Sequence, residues 1–322
     1  MARPQHEIVH VGSACRDIDA SDPRGWRLGG GVTYAALTTA RLGLRTAAIV
    51  GADADAAASA ELDTLRDAGV DVLVVPLEEG PVFHNVETAK GRVQTCIQRG
   101  VPLAIPPIPV GWLAAAGWSI VPVADEIPDA WAEVIPSGAY VAVAWQGFLR
   151  VLEPGERVIR RDPRPSPILR RADLVGVSHY DVPRETPVAG LCALLRPGAD
   201  LLITRGASGG LLVAVGPDGP GETVRYLPTA ASGELDPTGA GDTFLAALQS
   251  TALRPAIAGR QRTRRRVDLR FAAAAGSLVV EGHGLAGVPD RAAVNVRRAR
   301  ERIRRAVLPA VPDQVGVVEQ PD

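Results

Sequence analysis

Lysine is almost absent from this chain. Only Lys90 is a lysine among 35 basic residues, and the rest are arginines. A side-chain cation that meets a phosphate here is therefore expected to be a guanidinium, whose planar fork suits bidentate contact. Aromatic residues are scarce, at 4% of 322, which leaves few partners for stacking on bases. The net charge of −1 argues against bulk electrostatic capture of nucleic acid or of an anionic membrane. Cys15, Cys96 and Cys192 are odd in number and far apart, so neither a disulfide framework nor a CxxC metal pair is expected. His6, His10, His84, His179 and His283 are equally scattered, which argues against a histidine metal site. No uncharged apolar run reaches the roughly 18 residues that span a bilayer. Met1-Ala2-Arg3-Pro4 runs straight into a short strand-like segment rather than a leader. These absences together predict a cytoplasmic protein.

What is abundant is small and aliphatic. The chain is 46% hydrophobic and only 22% charged, and the apolar share is mostly Ala, Val and Leu. That composition suits helices packed on a buried parallel sheet. Strand-like runs at Glu7–Ser13, Arg45–Gly51 and Asp71–Pro76 alternate with helical stretches at Val32–Leu42 and Ala54–Ala68, a βαβ pattern. Further strands are expected at 118–123, 139–144, 173–178 and 200–204, with an antiparallel pair at 210–215 and 222–227. Late helices are expected at about 242–252, 267–281 and 290–306, followed by a loose tail after Pro309. Residues 14–28 read as polar loop. Residues 81–104 break the rhythm, since Phe83–Ile97 alternates and turns at Lys90-Gly91, as a hairpin does. A polar hairpin inserted in an α/β unit is a candidate lid, a plain edge hairpin being the other reading.

Asp236-Pro237-Thr238-Gly239-Ala240-Gly241-Asp242 is the most informative stretch. Gly-Ala-Gly lets backbone N–H groups approach a ligand unobstructed. The Leu245-Ala246-Ala247-Leu248 run that follows is helical, and the first N–H groups of a helix lack internal partners and carry partial positive charge. The combination makes a phosphate site, with Asp242 placed to accept a proton from an attacking hydroxyl. The plainer reading is a helix start capped by Thr238 or Asp236.

At these residues the chain resembles the ribokinase-like (PfkB) carbohydrate kinase family, whose D-x-x-G-A-G-D signature it carries intact. The resemblance runs in order over about residues 7–306. It implies a three-layer αβα fold with a mostly parallel central sheet and a small β lid. It also implies one domain over 1–322, with lid elements at about 12–30 and 81–104. In such kinases Asp242 would be the catalytic base and Gly239, Ala240 and Gly241 the anion hole. The early glycine motif that helps hold the acceptor is matched by Gly29-Gly30-Gly31, and Tyr34 stands where many members have Asn. Asp17 matches the acceptor-binding Asp, with Asp19 as the alternative. Thr204, Gly206 and Gly209 match the T-x-G-x-x-G turn beside the nucleotide, where Arg205 is either a phosphate contact or a surface residue. Thr238, Gly276 and His283 fall on the remaining nucleotide side. The family's N-x-x-E slot reads Ser178-His179-Tyr180-Asp181, so Asp181 would act on Mg²⁺ only through water.

Pattern likeness to a sugar- or polyol-kinase branch, including inositol kinase-like members, adds Arg92, Gln94 and Gln146 as acceptor contacts, with Glu126 and Arg150 as further candidates. The implied reaction is phosphoryl transfer from ATP to a hydroxyl of a small sugar or polyol. Mg²⁺ is implied as cofactor, and a K⁺ ion beside Asp236 and the 281–284 loop is compatible with the resemblance. The implied assembly is a monomer or homodimer. A nucleoside kinase of the same fold and a non-catalytic ligand-binding regulator are the alternatives. The arginine runs at 260–270 and 297–305 lack interleaved aromatics and read as solvated faces rather than a nucleic-acid surface.

Overall fold

The computed structural model describes residues 5–88, 91–257, 267–300, 306–307 and 314–315. Strands in the first half are β1 (Ile8–Ser13), β2 (Cys15–Ile18), β3 (Trp26–Gly29), β4 (Thr46–Ala52), β5 (Asp71–Pro76), β6 (Val82–Thr88), β7 (Gly91–Gln98), β8 (Gly117–Ile120) and β9 (Tyr140–Ala144). Later strands are β10 (Arg150–Val151), β11 (Ile159–Arg160), β12 (Leu174–Ser178), β13 (Asp200–Thr204), β14 (Gly210–Gly216), β15 (Gly219–Tyr226) and β16 (Ala306–Val307). The helices are α1 (Gly31–Arg41), α2 (Ala54–Ala57), α3 (Ala60–Asp67), α4 (Val110–Leu113), α5 (Trp131–Val134), α6 (Pro167–Arg171), α7 (Val188–Ala193), α8 (Ala240–Ile257), α9 (Leu269–Val279) and α10 (Arg291–Arg300).

The main sheet has the order β16-β15-β14-β13-β12-β9-β8-β1-β4-β5. From β5 to β13 every neighbouring pair is parallel, and β14, β15 and β16 extend the edge antiparallel. Strand alternation divides the core. Val9 and Val11 of β1 join a cluster with Trp112, Trp131, Ile168 and Leu191 of the short helices. Ile8, Leu174 and Leu202 face the other way, onto Leu245, Leu248 and Ala272 of α8 and α9. Leu37 of α1 and Leu62 and Leu65 of α3 close that same side over β4. Helices thus cover both faces of a mostly parallel sheet, the expected αβα arrangement.

A second sheet, ordered β3-β2-β6-β7, stands apart from the first. The segment expected as loop at 14–28 is in fact the antiparallel β2–β3 pair, and β6 joins β2 in parallel. The hairpin β6–β7 closes with Thr88 opposite Gly91, and its turn residues lie outside the described ones. Short strands of mixed polarity hid β2 and β3 from periodicity, since four residues give too few alternations to read. The helix expected over 54–68 is broken into α2 and α3, with Asp53 capping the first through the Ala56 N–H. The tail is not loose throughout. Val315 is fully buried, and its N–H donates to the Thr186 carbonyl. Apart from Gln314 and Val315, the tail after Pro309 lies outside the described residues.

His10 sits on β1 with no exposed surface, Nε2 2.8 Å from Thr39 Oγ1. Burial drives its pKa down to about 3. The folded state therefore holds His10 neutral while the unfolded chain protonates near 6.5. Its contribution is complete above pH 6.5 and is lost as pH falls towards 3, at about 1.4 kcal/mol per unit. Urea unfolding midpoints measured from pH 7.5 to 5 are expected to show this slope, and His10→Gln is expected to flatten it by one proton.

Candidate active site

The chain leaves β1 at Ser13, builds β2 and β3 of the small sheet, and returns through Gly29-Gly30-Gly31 into α1. Three glycines stand at this return because of what they face. A Cβ on Gly29 would lie 2.3 Å from Asp17 Oδ2, and one on Gly31 would lie 2.7 Å from Asp242 Oδ1. Gly30 takes φ of 102°, a region closed to other residues without strain. The missing side chains thus let two carboxylates, 225 residues apart in sequence, approach one backbone shelf (242 − 17 = 225).

Asp242 lies in the first turn of α8, half-buried. Burial, reinforced by the neighbouring Asp181 charge and opposed by Arg150, raises its pKa to about 6. Gly239 ahead of it has φ of 78°, and a Cβ there would lie 2.2 Å from the Tyr34 ring. The turn that opens α8 is thus pressed onto that ring at Gly239. Gly241 is exposed with open space around it. Asp236 braces the turn, since its Oδ1 accepts the Thr238 N–H at 2.9 Å and its Oδ2 the Gly284 N–H at 3.1 Å.

From the opposite side come residues at the carboxyl ends of β9 and β12, where open α/β sheets place ligands. Asp181 Oδ2 accepts the Ser178 N–H at 2.9 Å, and its Oδ1 accepts from Gln146 Nε2 at 3.3 Å. Burial pushes Asp181 up, against the pull of Arg150. Arg150 donates Nη1 to the Val123 carbonyl at 2.9 Å and lies 5.6 Å from the Phe83 ring centroid. Its charge is felt by Asp181 and Asp242, so one guanidinium serves both carboxylates.

The small sheet supplies the roof. Asp17 Oδ1 accepts from Asn85 Nδ2 at 2.9 Å, and Asn85 Oδ1 accepts from Gln94 Nε2 at 2.8 Å. This chain of amides crosses β2, β6 and β7 in register. Asp17 and Gln94 of the expected acceptor set are thereby brought together, and Gly30, Gly31 and Gln146 border the same cleft. Arg92 is in β7, and its side chain lies outside the described ones. Asn85 was missed, because an amide in an alternating strand carries no signal until the β6–β7 register is known. Arg27 was missed for the same reason.

Several expectations need correction. Tyr34 is buried at 2% exposure beneath Gly239 and is not an open acceptor contact. Glu126 is buried and uses its carboxylate on the Ser13, Val123 and Ala124 N–H groups, so it holds loops together rather than meeting a ligand. Arg205 is neither a phosphate contact nor a surface residue, since it is buried and donates to the Val315 carbonyl at 2.6 Å. On the nucleotide side, Thr204 ends β13, Gly206 is open, and Gly209 has φ of 78° in the turn to β14. Gly276 packs against the Ala240 carbonyl at the start of α8, and His283 is exposed.

Residues 183–291 match the family model described as pfkB family carbohydrate kinase. The match spans the Asp236–Asp242 turn and α9. The matched residues are about a third of the chain, and over them the chain is similar to pfkB family carbohydrate kinases. Whole-chain comparison agrees on the fold. A ribokinase from Giardia lamblia superposes with TM-score 0.67 at 18% identity, over 92% of this chain and 99% of that one. A pyrophosphate-dependent ribokinase-family kinase, complexed with a pyrophosphate analog and myo-inositol, gives 0.64 at 21% identity over 90% and 99%. An Arabidopsis thaliana ribokinase complexed with ribose and ATP gives 0.62 at 21% over 91% and 98%. A search of curated protein sequences gives no match. Among the described residues, no helix is long and apolar enough to cross a membrane.

The Gly31 shelf leads to a direct expectation. Gly31→Ala forces a methyl against Asp242 Oδ1 and Val121 Cγ1 and is expected to cost about 1–3 kcal/mol. Gly138→Ala, whose added methyl meets nothing within 4 Å, is expected to stay within about 0.5 kcal/mol. Denaturant midpoints of the two variants measure the difference.

Proposed function

We propose that this kinase transfers the γ-phosphoryl group of ATP to a hydroxyl of a small sugar or polyol, inositol-like in its ring of hydroxyls. The observation that carries the reading is the convergence of Asp242, the opening of α8 and the glycine shelf on one cleft. An acceptor on the shelf has Asp17, Asn85 and Gln94 above it to meet its hydroxyls, an all-polar set that suits a polyol better than an apolar ring. Its reacting hydroxyl then faces Asp242.

Asp242 orients that hydroxyl and takes its proton as the bond to phosphorus forms. The backbone N–H groups of Gly239–Gly241 hold the charge on the transferring group, and Arg150 balances the two carboxylates as the anion enters. Positioning dominates because the transition state is loose. Oxygen donors suit magnesium, and Asp181 already accepts two hydrogen bonds, so it fits an ion held through water rather than directly. Bound there, Mg²⁺ would neutralise donor phosphate charge. Closure of the small sheet would exclude water and suppress hydrolysis of the donor.

Ribokinase-family kinases use ATP, and Thr204, Gly206, Gly209, Thr238, Gly276 and His283 line the proposed nucleotide side. Pyrophosphate is the second reading for the donor, favoured by the similar structure described as pyrophosphate-dependent. A nucleoside acceptor is less well supported, because Tyr34, which lies nearest the shelf, is already packed under Gly239.

Product formation from ATP and from pyrophosphate across polyols, sugars and nucleosides tests the reading, and activity confined to nucleosides, or to none, would overturn it. With the true acceptor, Asp242→Asn is expected to lose at least about 10²-fold in turnover. The pH profile of kcat/KM is expected to fall below about pH 6, because the base acts ionised. The raised pKa also means that the ionised carboxylate destabilises the fold above pH 6, a cost absent below the unfolded value near 3.8. Asp242→Asn should therefore unfold at higher temperature than wild type at pH 8, by on the order of 1–3 kcal/mol, with the gain vanishing towards pH 4. Paired melting curves at the two pH values check this.

A further inference from the structure

Arg27 belongs to the small sheet, yet its guanidinium reaches the turn that carries the anion hole. Nη1 lies 3.2 Å from Asp236 Oδ2, and Nε lies 2.5 Å from Asp19 Oδ2. Asp236 is 7% exposed at its side chain, and a carboxylate so buried needs its charge compensated. Thr238 and Gly284 each give it an N–H, and Arg27 gives it the countercharge. Burial alone would push Asp236 up, and these donors hold it below its ordinary value instead. The Arg27–Asp236 contact joins residues 209 apart in sequence. It also joins the two parts that must align for transfer, because β3 leads into the glycine shelf and Asp236 begins the anion-hole turn.

A potassium ion beside Asp236 and the 281–284 loop does not fit this arrangement. The carboxylate edge such an ion would need already faces a guanidinium, and the loop presents the Gly284 N–H to that same oxygen. The third neighbour is Tyr34, whose hydroxyl is 3.9 Å from the Cβ position of Gly284 and is kept protonated by burial and by Asp236. No edge of Asp236 is left to a dissociable cation unless Arg27 withdraws.

We propose that Arg27 is the resident cation of the anion-hole turn, a positioning residue that clips the acceptor-side sheet to Asp236 and makes turnover independent of monovalent metal ions. It touches no reacting atom. It sets the distance between the glycine shelf and the opening N–H groups of α8, and it supplies from the chain itself the charge that a bound ion would otherwise supply. The proposal rests on the kinase reading for its activity arm, and a second arm is independent of turnover.

Turnover of wild type is measured in KCl, NaCl and tetramethylammonium chloride at one ionic strength. Equal rates within about twofold are expected, and a tenfold or greater stimulation by K⁺ would overturn the proposal. Arg27→Ala is expected to lose about 10²-fold, since small misplacements of reacting groups cost that much. Part of that loss is expected to return with added guanidinium ion or K⁺, while Arg27→Lys keeps most of the rate. An Arg27→Ala enzyme with wild-type turnover, or one no cation rescues, counts against the assignment. Melting temperature is read in the same salts without substrate. K⁺ in place of tetramethylammonium should leave wild type unchanged and raise Arg27→Ala by a few degrees. A wild type that K⁺ stabilises sinks the idea even if no acceptor is ever phosphorylated. Were Arg27→Ala unable to fold, the wild-type salt comparison and Arg27→Lys would still decide.

Discussion

The site depends on space that side chains do not occupy. Asp17 and Asp242 approach one turn of backbone closely enough that a methyl on Gly29 or Gly31 would collide with their oxygens. Two carboxylates near one another repel, and each loses hydration as the cleft narrows. The arrangement persists because the glycine backbone leaves room for both and because Arg150 offsets the pair formed by Asp242 and Asp181. Removing the room would move the carboxylates apart, and the cleft would lose the geometry on which the base role proposed for Asp242 rests.

The rest of the fold holds that turn still. Leu245 and Leu248 of α8 are buried against the sheet, so the helix start cannot slide. Tyr34 presses on Gly239, and Asp236 gathers the Thr238 and Gly284 N–H groups under it. Together these contacts fix the Asp236–Asp242 run at its start, at its middle and in the helix that follows it. The small sheet has a different character. Its polar chain of Asp17, Asn85 and Gln94 is joined by two amide hydrogen bonds rather than by apolar packing.

Much of this was readable in advance because the signals are local. The βαβ alternation follows from runs of apolar residues and their glycine stops, and the parallel sheet from β5 to β13 follows from it. The Asp236–Asp242 run declares a helix start within its own span, and α8 begins there. The β2–β3 pair escaped notice, since four-residue strands carry almost no periodicity. Glu126, Arg205 and Tyr34 were misjudged for one shared reason. A polar side chain looks the same in sequence whether it faces a ligand or the protein's own groups, and here Ser13, Val315 and Gly239 lie far away in the chain from Glu126, Arg205 and Tyr34.

The sequence alone determined the class of fold, the helix start that carries Asp242, the near-absence of lysine and the poverty of aromatics, because each is a property of neighbouring residues or of composition. Tertiary structure decided which carboxylates share the cleft, that Arg150 lies between Asp181 and Asp242, and that Arg27 reaches Asp236 across the two sheets. Those pairings depend on register and on how two sheets meet. Burial then turned proximity into chemistry, since only a carboxylate partly withdrawn from water and set beside another is raised to about 6.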